Sequence, residues 1–262
     1  MSPDLEALAE FAATLASAAR RETLPDCGGA VAVENKRSGG FDPVTLSDRN
    51  AEQAIRRLIE ERFPDHEIIG EEFADKKTGG PLSWSIDPID GTRAYVCGLP
   101  TWTTLIALLA DGAPVLGLID VPRLDETYLG YGTTALKRVA GSDRPIATSG
   151  CRKLDEARLS TTDPDLFEGS EAKAFEGLRR AVRLTRYGLD GYGYAAVAAG
   201  AIDLVVESGL KPHDYHAVVP IIRAAGGAIA DWSGGSDLSS GKIVAAASET
   251  LLEDACSLLS GR

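Results

Sequence analysis

No apolar run in this 262-residue chain approaches the roughly 18–20 residues that a membrane-spanning helix needs. Met1-Ser2-Pro3-Asp4 lacks a basic n-region, so no signal peptide is expected and the chain reads as cytoplasmic and soluble. Cysteine is scarce: Cys27, Cys97, Cys151 and Cys256 stand far apart without a C-x-x-C, which argues against a zinc site and a disulfide framework. Histidine is scarcer, and His66, His213 and His216 are too few and too clustered for a His-led site. Positive charge is also short. Twenty-seven Lys+Arg against 39 Asp+Glu leave a net charge of −12, so neither a nucleic-acid backbone nor an anionic membrane is expected as the main partner. The chain has no repeats and no low-complexity segments.

What remains is an ordinary globular composition, 44% hydrophobic and 25% charged, long enough for one large domain or two tightly packed halves. The stretch that organises it is Trp84-Ser85-Ile86-Asp87-Pro88-Ile89-Asp90-Gly91-Thr92-Arg93. An apolar run leads into two carboxylates three residues apart, with Pro between them and Gly-Thr after the second. Asp87 is expected to end a buried strand, since Pro88 bars simple continuation. Gly91 then lets backbone N–H groups converge into an anion-binding concavity. Asp, Pro and Gly are also ordinary surface-turn residues. Apolar sequence on both sides favours the functional reading, because hard oxygen ligands beside a phosphate-sized nest are what Mg²⁺-assisted phosphate chemistry requires. In a chain this acidic, a bound metal would also be the cation that makes room for a phosphate.

Helical periodicity is expected over 4–20, with Ser2 as cap, and again after Thr45 or Ser47, where Ala51, Ala54, Ile55, Leu58 and Ile59 share a face that ends at Phe63-Pro64. Residues 27–35 alternate like a strand, and Gly39-Gly40 reads as a hinge. Ile68–Glu72 is a short strand ending in two acids, and 74–81 is a polar loop suited to movement over a site. Strands are expected at 102–109, 114–121 and 126–131, the first two joined at Asp111-Gly112. Gly, Ser, Asp and Pro cluster at 138–145, the best boundary between halves 1–141 and 142–262. The second half is expected to alternate strands (158–162, 183–187, 202–207, 228–231, 242–247) with helices (171–182, 192–201, 214–225, 248–259), with Pro220 kinking or delaying the third helix. Helices sandwiching mixed sheets, an α+β fold, is the expectation.

Acids fall at element ends: Asp48, Glu71/Glu72, Asp87/Asp90 and Asp214. Singly each is a capping or solvated charge. Together, Gly70-Glu71-Glu72, Asp87-Pro88-Ile89-Asp90-Gly91-Thr92 and Asp214 resemble, in order and spacing, the metal-binding motifs of the inositol monophosphatase superfamily. The resemblance runs from about Lys36 to Gly227. It implies a layered αβαβα sandwich, Mg²⁺ dependence with two or three ions per site, sensitivity to lithium, and a homodimer. It further implies that Glu71, Asp87, the Ile89 carbonyl, Asp90 and Asp214 ligate Mg²⁺, and that Gly91 and Thr92 hold the phosphate. Asp48, with Thr92 and Glu71, would order the attacking water, while Lys36 and Glu72 would lie outside the ligand set. The chemistry stands on its own terms: the ions offset a phosphomonoester's charge, activate water and stabilise the leaving alkoxide, and a carboxylate accepts the proton. His213-Asp214-Tyr215-His216 offers a transition-metal alternative, which the acidic segments disfavour.

Within that superfamily the sequence is most similar to histidinol-phosphate phosphatases, through Gly91-Thr92-Arg93-Ala94-Tyr95, Gly98 to Ile106, and Asp203 to Pro212 leading to Asp214. Histidinol phosphate carries an amine and an imidazole, so its pocket should offer carboxylates. Asp190 and Glu207 are the candidates, with Arg93 beside them as a further substrate contact. An inositol-phosphate or broad sugar-phosphate phosphatase is the alternative, and a non-catalytic metal- or phosphate-binding protein a more distant one.

Overall fold

The computed structural model describes residues 3–29, 33–35 and 43–261. The N-terminal apolar stripe forms α1 (Leu5–Thr23). Ser2 lies outside the described residues; Asp4 caps the helix, accepting the Ala7 N–H at 3.2 Å. Of the expected strand over 27–35, β1 is Val33–Asn35, antiparallel to β2 (Pro43–Thr45). Cys27–Gly29 turns instead, following a 3-10 turn at Leu24–Asp26, since the left-handed Gly28 (φ +73°) breaks the extended path. The Gly39-Gly40 hinge falls outside the described residues. Thr45 caps α2 (Leu46–Arg62), which ends at Phe63 ahead of Pro64.

Next come β3 (Glu67–Gly70), β4 (Leu82–Asp90), α3 (Thr92–Val96), β5 (Thr103–Ala110), β6 (Ala113–Val121), β7 (Glu126–Tyr131), β8 (Thr134–Val139) and β9 (Ser142–Pro145). These strands form a seven-stranded sheet in sequence order, parallel only between β3 and β4. Residues 138–145 fall at the last edge of this sheet. They complete the β8–β9 hairpin, turning at left-handed Ala140 and Gly141; the small polar cluster there is turn chemistry. The loop 74–81 is fastened along the outer edge of β3: Ile68 and Lys76 exchange backbone bonds at 3.0 and 2.8 Å, and Glu67 Oε1 accepts the Thr78 and Gly79 N–H groups.

The second half adds β10 (Arg158–Thr161), α4 (Ser170–Ala181), β11 (Leu184–Tyr187), α5 (Gly191–Ala198), β12 (Leu204–Glu207), α6 (Pro212–Tyr215), α7 (Val218–Ala224), β13 (Ala228–Asp231), β14 (Ile243–Ala246) and α8 (Glu249–Ser260). Its five-stranded sheet runs β11-β10-β12-β14-β13. The expected helix over 214–225 is split in two, and Pro220 sits in the first turn of α7, where its missing N–H breaks no helical bond.

Side-chain alternation sorts the layers. Ile106 and Leu108 of β5 face α1 and α2, packing with Leu8, Leu15, Ile55, Trp84 and Ile86. Leu105, Ala107 and Leu109 point the other way, onto α5 and α7. Those helices are covered on their far side by Val205, Ile243 and Ala245 of the second sheet, whose opposite residues Leu204, Val206 and Val244 pack under α4 and α8. The result is an αβαβα sandwich.

One device seats the middle layer. Gly117 of β6 and Gly130 of β7 are cross-strand partners. A Cβ on Gly117 would lie 1.9 Å from the Ala217 carbonyl oxygen, and one on Gly130 2.3 Å from Ile221 Cα. The two glycines form a notch into which the backbone of α7 settles, and this fixes α6, just before it, over the end of β4.

Candidate active site

Asp87 does not end β4. The strand runs on to Asp90, with its β4–β5 register shifting between the two acids. β3 pairs only as far as Ile86, so Pro88 lies beyond its reach and removes no ladder bond on that side. The Pro88 carbonyl accepts the Thr104 hydroxyl at 2.8 Å. Gly91 follows at φ +80°, a left-handed residue that begins α3, and Thr92 Oγ1 donates to the Ile89 carbonyl at 3.1 Å. A Cβ on Gly91 would stand 2.8 Å from Asp190 Oδ2, so only glycine lets these segments meet.

Around this turn the structure gathers two groups of ligand atoms, each within 4.8 Å of one another: Glu71, Asp87 and His213, and Asp87, Asp90 and Asp214. Asp87 belongs to both. The donors come from the residue after β3, the end of β4 and the start of α6, so elements far apart in sequence converge. Asp90 Oδ2 accepts the Gly191 N–H at 2.5 Å and the Thr103 hydroxyl at 3.0 Å, and the Lys211 N–H donates to Asp214 Oδ2 at 2.7 Å.

Negative charge is concentrated here well beyond what burial tolerates unaided. Burial, then the charges of Glu71, Asp90 and Asp214, push Asp87 well above the carboxylate range. Burial raises Asp90 to about 6, against the hydrogen bonds from Gly191 and Thr103. Asp214 rises to about 7, through burial and then the charge of Asp90. Oxygens raised in this way favour a proton or a cation over uncompensated charge. Nearly all the donors are hard, and their closeness fits Mg²⁺.

Asp48 is buried in the first turn of α2, its Oδ2 accepting the Thr45 N–H at 2.8 Å and hydroxyl at 2.5 Å. The Glu72 N–H donates to Glu52 Oε2 at 2.7 Å, while Glu52 Oε1 pairs with Arg56. Lys36 lies outside the described residues. Arg93 sits at the rim, paired with Asp163 at 3.2 Å. Asp190 (φ +47°) lies against Gly91, raised to about 7 by burial and then by the charge of Asp90. Glu207 is buried, its Oε1 accepting the Thr162 N–H at 2.7 Å and hydroxyl at 2.9 Å, and burial raises it to about 8.

Sequence reasoning set His213 aside, and the structure puts it within one ligand group. It also missed Glu52, a fully buried acid on the apolar side of α2 that clamps the chain beside Glu71. A carboxylate interrupting the buried face of a helix was the available signal. Thr161, Thr162 and Gly191 carried none.

Residues 4–261 match the model of the inositol monophosphatase family. The chain belongs to this family of phosphatases. It is 46% identical over 196 residues to the chloroplastic bifunctional phosphatase IMPL2 of Arabidopsis thaliana, covering 74% of this chain and 56% of that longer protein. A histidinol-phosphatase of Chlorobaculum parvum is 35% identical over 96% of this chain and 94% of its own. Among solved structures, an inositol monophosphatase from Zymomonas mobilis superposes with a TM-score of 0.86 at 36% identity, over 99% of this chain and all of the other. No helix among the described residues is long and apolar enough to cross a membrane.

Proposed function

We propose that this family member is a Mg²⁺-dependent phosphomonoester hydrolase whose substrate is L-histidinol phosphate, released as L-histidinol. The observation that carries the hydrolase reading is the pair of ligand groups sharing Asp87 beside the Gly91-Thr92 turn. Glu71, Asp87, Asp90, Asp214 and the Ile89 carbonyl would hold Mg²⁺, which supplies charge neutralisation for the phosphate and the leaving alkoxide. Gly91 and Thr92 at the start of α3 receive the phosphate oxygens. Glu71, Thr92 and Asp48 orient the attacking water, and Glu71 takes its proton. By the family resemblance, Glu72 and Lys36 would support the site from outside the ligand set.

The substrate reading draws on the acids beyond the phosphate. Asp190 and Glu207 are carboxylates held close to neutral by burial. An arriving ammonium or imidazolium restores their charge in a low-dielectric setting, where the attraction is strong. Arg93 at the rim contacts the same substrate. The histidinol-phosphatase relative, aligned over 96% of the chain, points the same way. An inositol-phosphate or broad sugar-phosphate specificity is the second reading, favoured by the structural likeness to the Zymomonas mobilis enzyme. A homodimer, a cytoplasmic location and lithium inhibition go with the family assignment as parts of the proposal.

Phosphate release from L-histidinol phosphate and from inositol-1-phosphate, with and without Mg²⁺, tests the reading. A preference in kcat/KM of about a hundredfold, roughly 2.7 kcal/mol, is expected for histidinol phosphate. Glu207→Gln should raise KM for histidinol phosphate about tenfold and leave a neutral phosphate ester nearly unchanged. Comparable rates on both substrates would refute the specificity, and no Mg²⁺-dependent release from any phosphomonoester would refute the hydrolase reading.

A further inference from the structure

The two ligand groups that share Asp87 are chemically unlike. Asp87, Asp90 and Asp214 offer oxygen alone, whereas the group of Glu71 and Asp87 includes an imidazole nitrogen of His213. Position and packing hold that ring in place. His213 follows Pro212, whose ring presets the first residue of α6, and it precedes the ligand Asp214. The side chain is largely buried, with Nε2 3.4 Å from Asp214 Oδ1.

We propose that His213 supplies a nitrogen ligand at one of the two neighbouring metal positions, so that this position favours a transition ion such as Mn²⁺ over Mg²⁺ while the all-oxygen position suits Mg²⁺. Mg²⁺ prefers oxygen and sheds water reluctantly, so an imidazole adds little to its binding. First-row transition ions gain from nitrogen donors, and the gain grows along the series from Mn²⁺. Charge acts in the same direction. The all-oxygen position presents three carboxylates to the cation and the His213 position two, which weakens the purely electrostatic attraction on which Mg²⁺ depends more heavily. In sequence His213 and His216 read together as a transition-metal pair. In the structure they part: the His216 ring meets the Ser85 hydroxyl at 3.0 Å, and His213 alone joins the ligand group.

This inference rests on the metal-dependent hydrolase reading, and its test separates the two. Pulsed electron paramagnetic resonance on the full-length chain loaded with Mn²⁺ reads nitrogen ligation directly. Modulation from a directly bound imidazole nitrogen is expected in the unaltered chain and in His216→Gln, and is lost in His213→Gln. Calorimetric titration should show Mn²⁺ binding at one position weakened about tenfold or more by His213→Gln, with Mg²⁺ binding changed by less than about threefold. Mn²⁺ binding without imidazole modulation in the unaltered chain overturns nitrogen ligation and leaves the hydrolase reading intact. Equal losses for both ions overturn the selectivity. Failure of Mn²⁺ alone to bind overturns the His213 proposal, and failure of both ions to bind overturns both readings. The spectrum of the unaltered chain needs no variant, so the result does not depend on His213→Gln folding.

Discussion

Replacing Asp90 by Asn should make the metal-free protein more stable at pH 8, even though it removes a metal ligand. The folded protein holds Asp90 at about 6 against an ordinary 3.8, because burial dominates the hydrogen bonds from Gly191 and Thr103. A carboxylate whose folded value is raised binds its proton more tightly when folded, so stability falls as pH climbs from the unfolded value through the folded one. The rise corresponds to about 3 kcal/mol by pH 8, at 1.36 kcal/mol per pH unit, and to less than about 1 kcal/mol at pH 4. Asn removes this penalty, and its amide oxygen in the place of Oδ2 still accepts from the Gly191 N–H and the Thr103 hydroxyl. It forfeits the ionic strength of the Gly191 contact, worth about 1 kcal/mol. A net gain of about 2 kcal/mol at pH 8 should raise Tm in EDTA by roughly 4–8 °C for a chain of this size, and by little at pH 4. The unaltered chain, melted in EDTA, should lose stability from these groups between pH 4 and 7. Mg²⁺ should restore it most at pH 8, where fewest protons compete. Scanning calorimetry at both pH values, with EDTA and with Mg²⁺, is the measurement. An Asp90→Asn protein that melts lower than the unaltered chain in EDTA at pH 8 would refute the view that this cluster is held against its own repulsion.

Two further substitutions probe the scaffold and the turn. Gly130→Ala puts a methyl 2.3 Å from Ile221 Cα, backbone that cannot give way, so α7 must lift from β7. A loss of about 3 kcal/mol is expected in chemical denaturation, with weakened Mg²⁺ binding as Asp214 moves; a stability change within about 0.5 kcal/mol would remove the notch argument. Gly91→Ala forces a side chain into the left-handed region against Asp190, which costs about 1–2 kcal/mol. The affinity for inorganic phosphate in the presence of Mg²⁺ should fall with it, and phosphate binding at the original strength would show that the turn does not form the anion nest.

Legibility in the sequence followed how far each interaction reaches along the chain. Asp87, Pro88, Asp90 and Gly91 are neighbours in sequence and in space, so the turn, the left-handed glycine and the paired carboxylates were readable from ten residues. The hairpin at Asp111-Gly112 and the cap at Thr45 were readable for the same reason, since local backbone chemistry decides them. The β8–β9 hairpin shows the limit of local reading: Gly, Ser, Asp and Pro mark a turn and a linker alike, and only the pairing of Arg138 with Asp143 decides between them. Gly117 and Gly130 look like weak points in two strands until α7 arrives from the second half to fill the space that they leave. His213 is the sharpest case. In sequence it belongs with His216, three residues on, as a pair suited to a soft metal. The turn from α6 into α7 separates their rings, and a nitrogen donor is left facing Glu71 and Asp87. Spacing alone could not assign that donor, because the path of the chain after Asp214 is set by a notch made from two glycines nearly a hundred residues earlier.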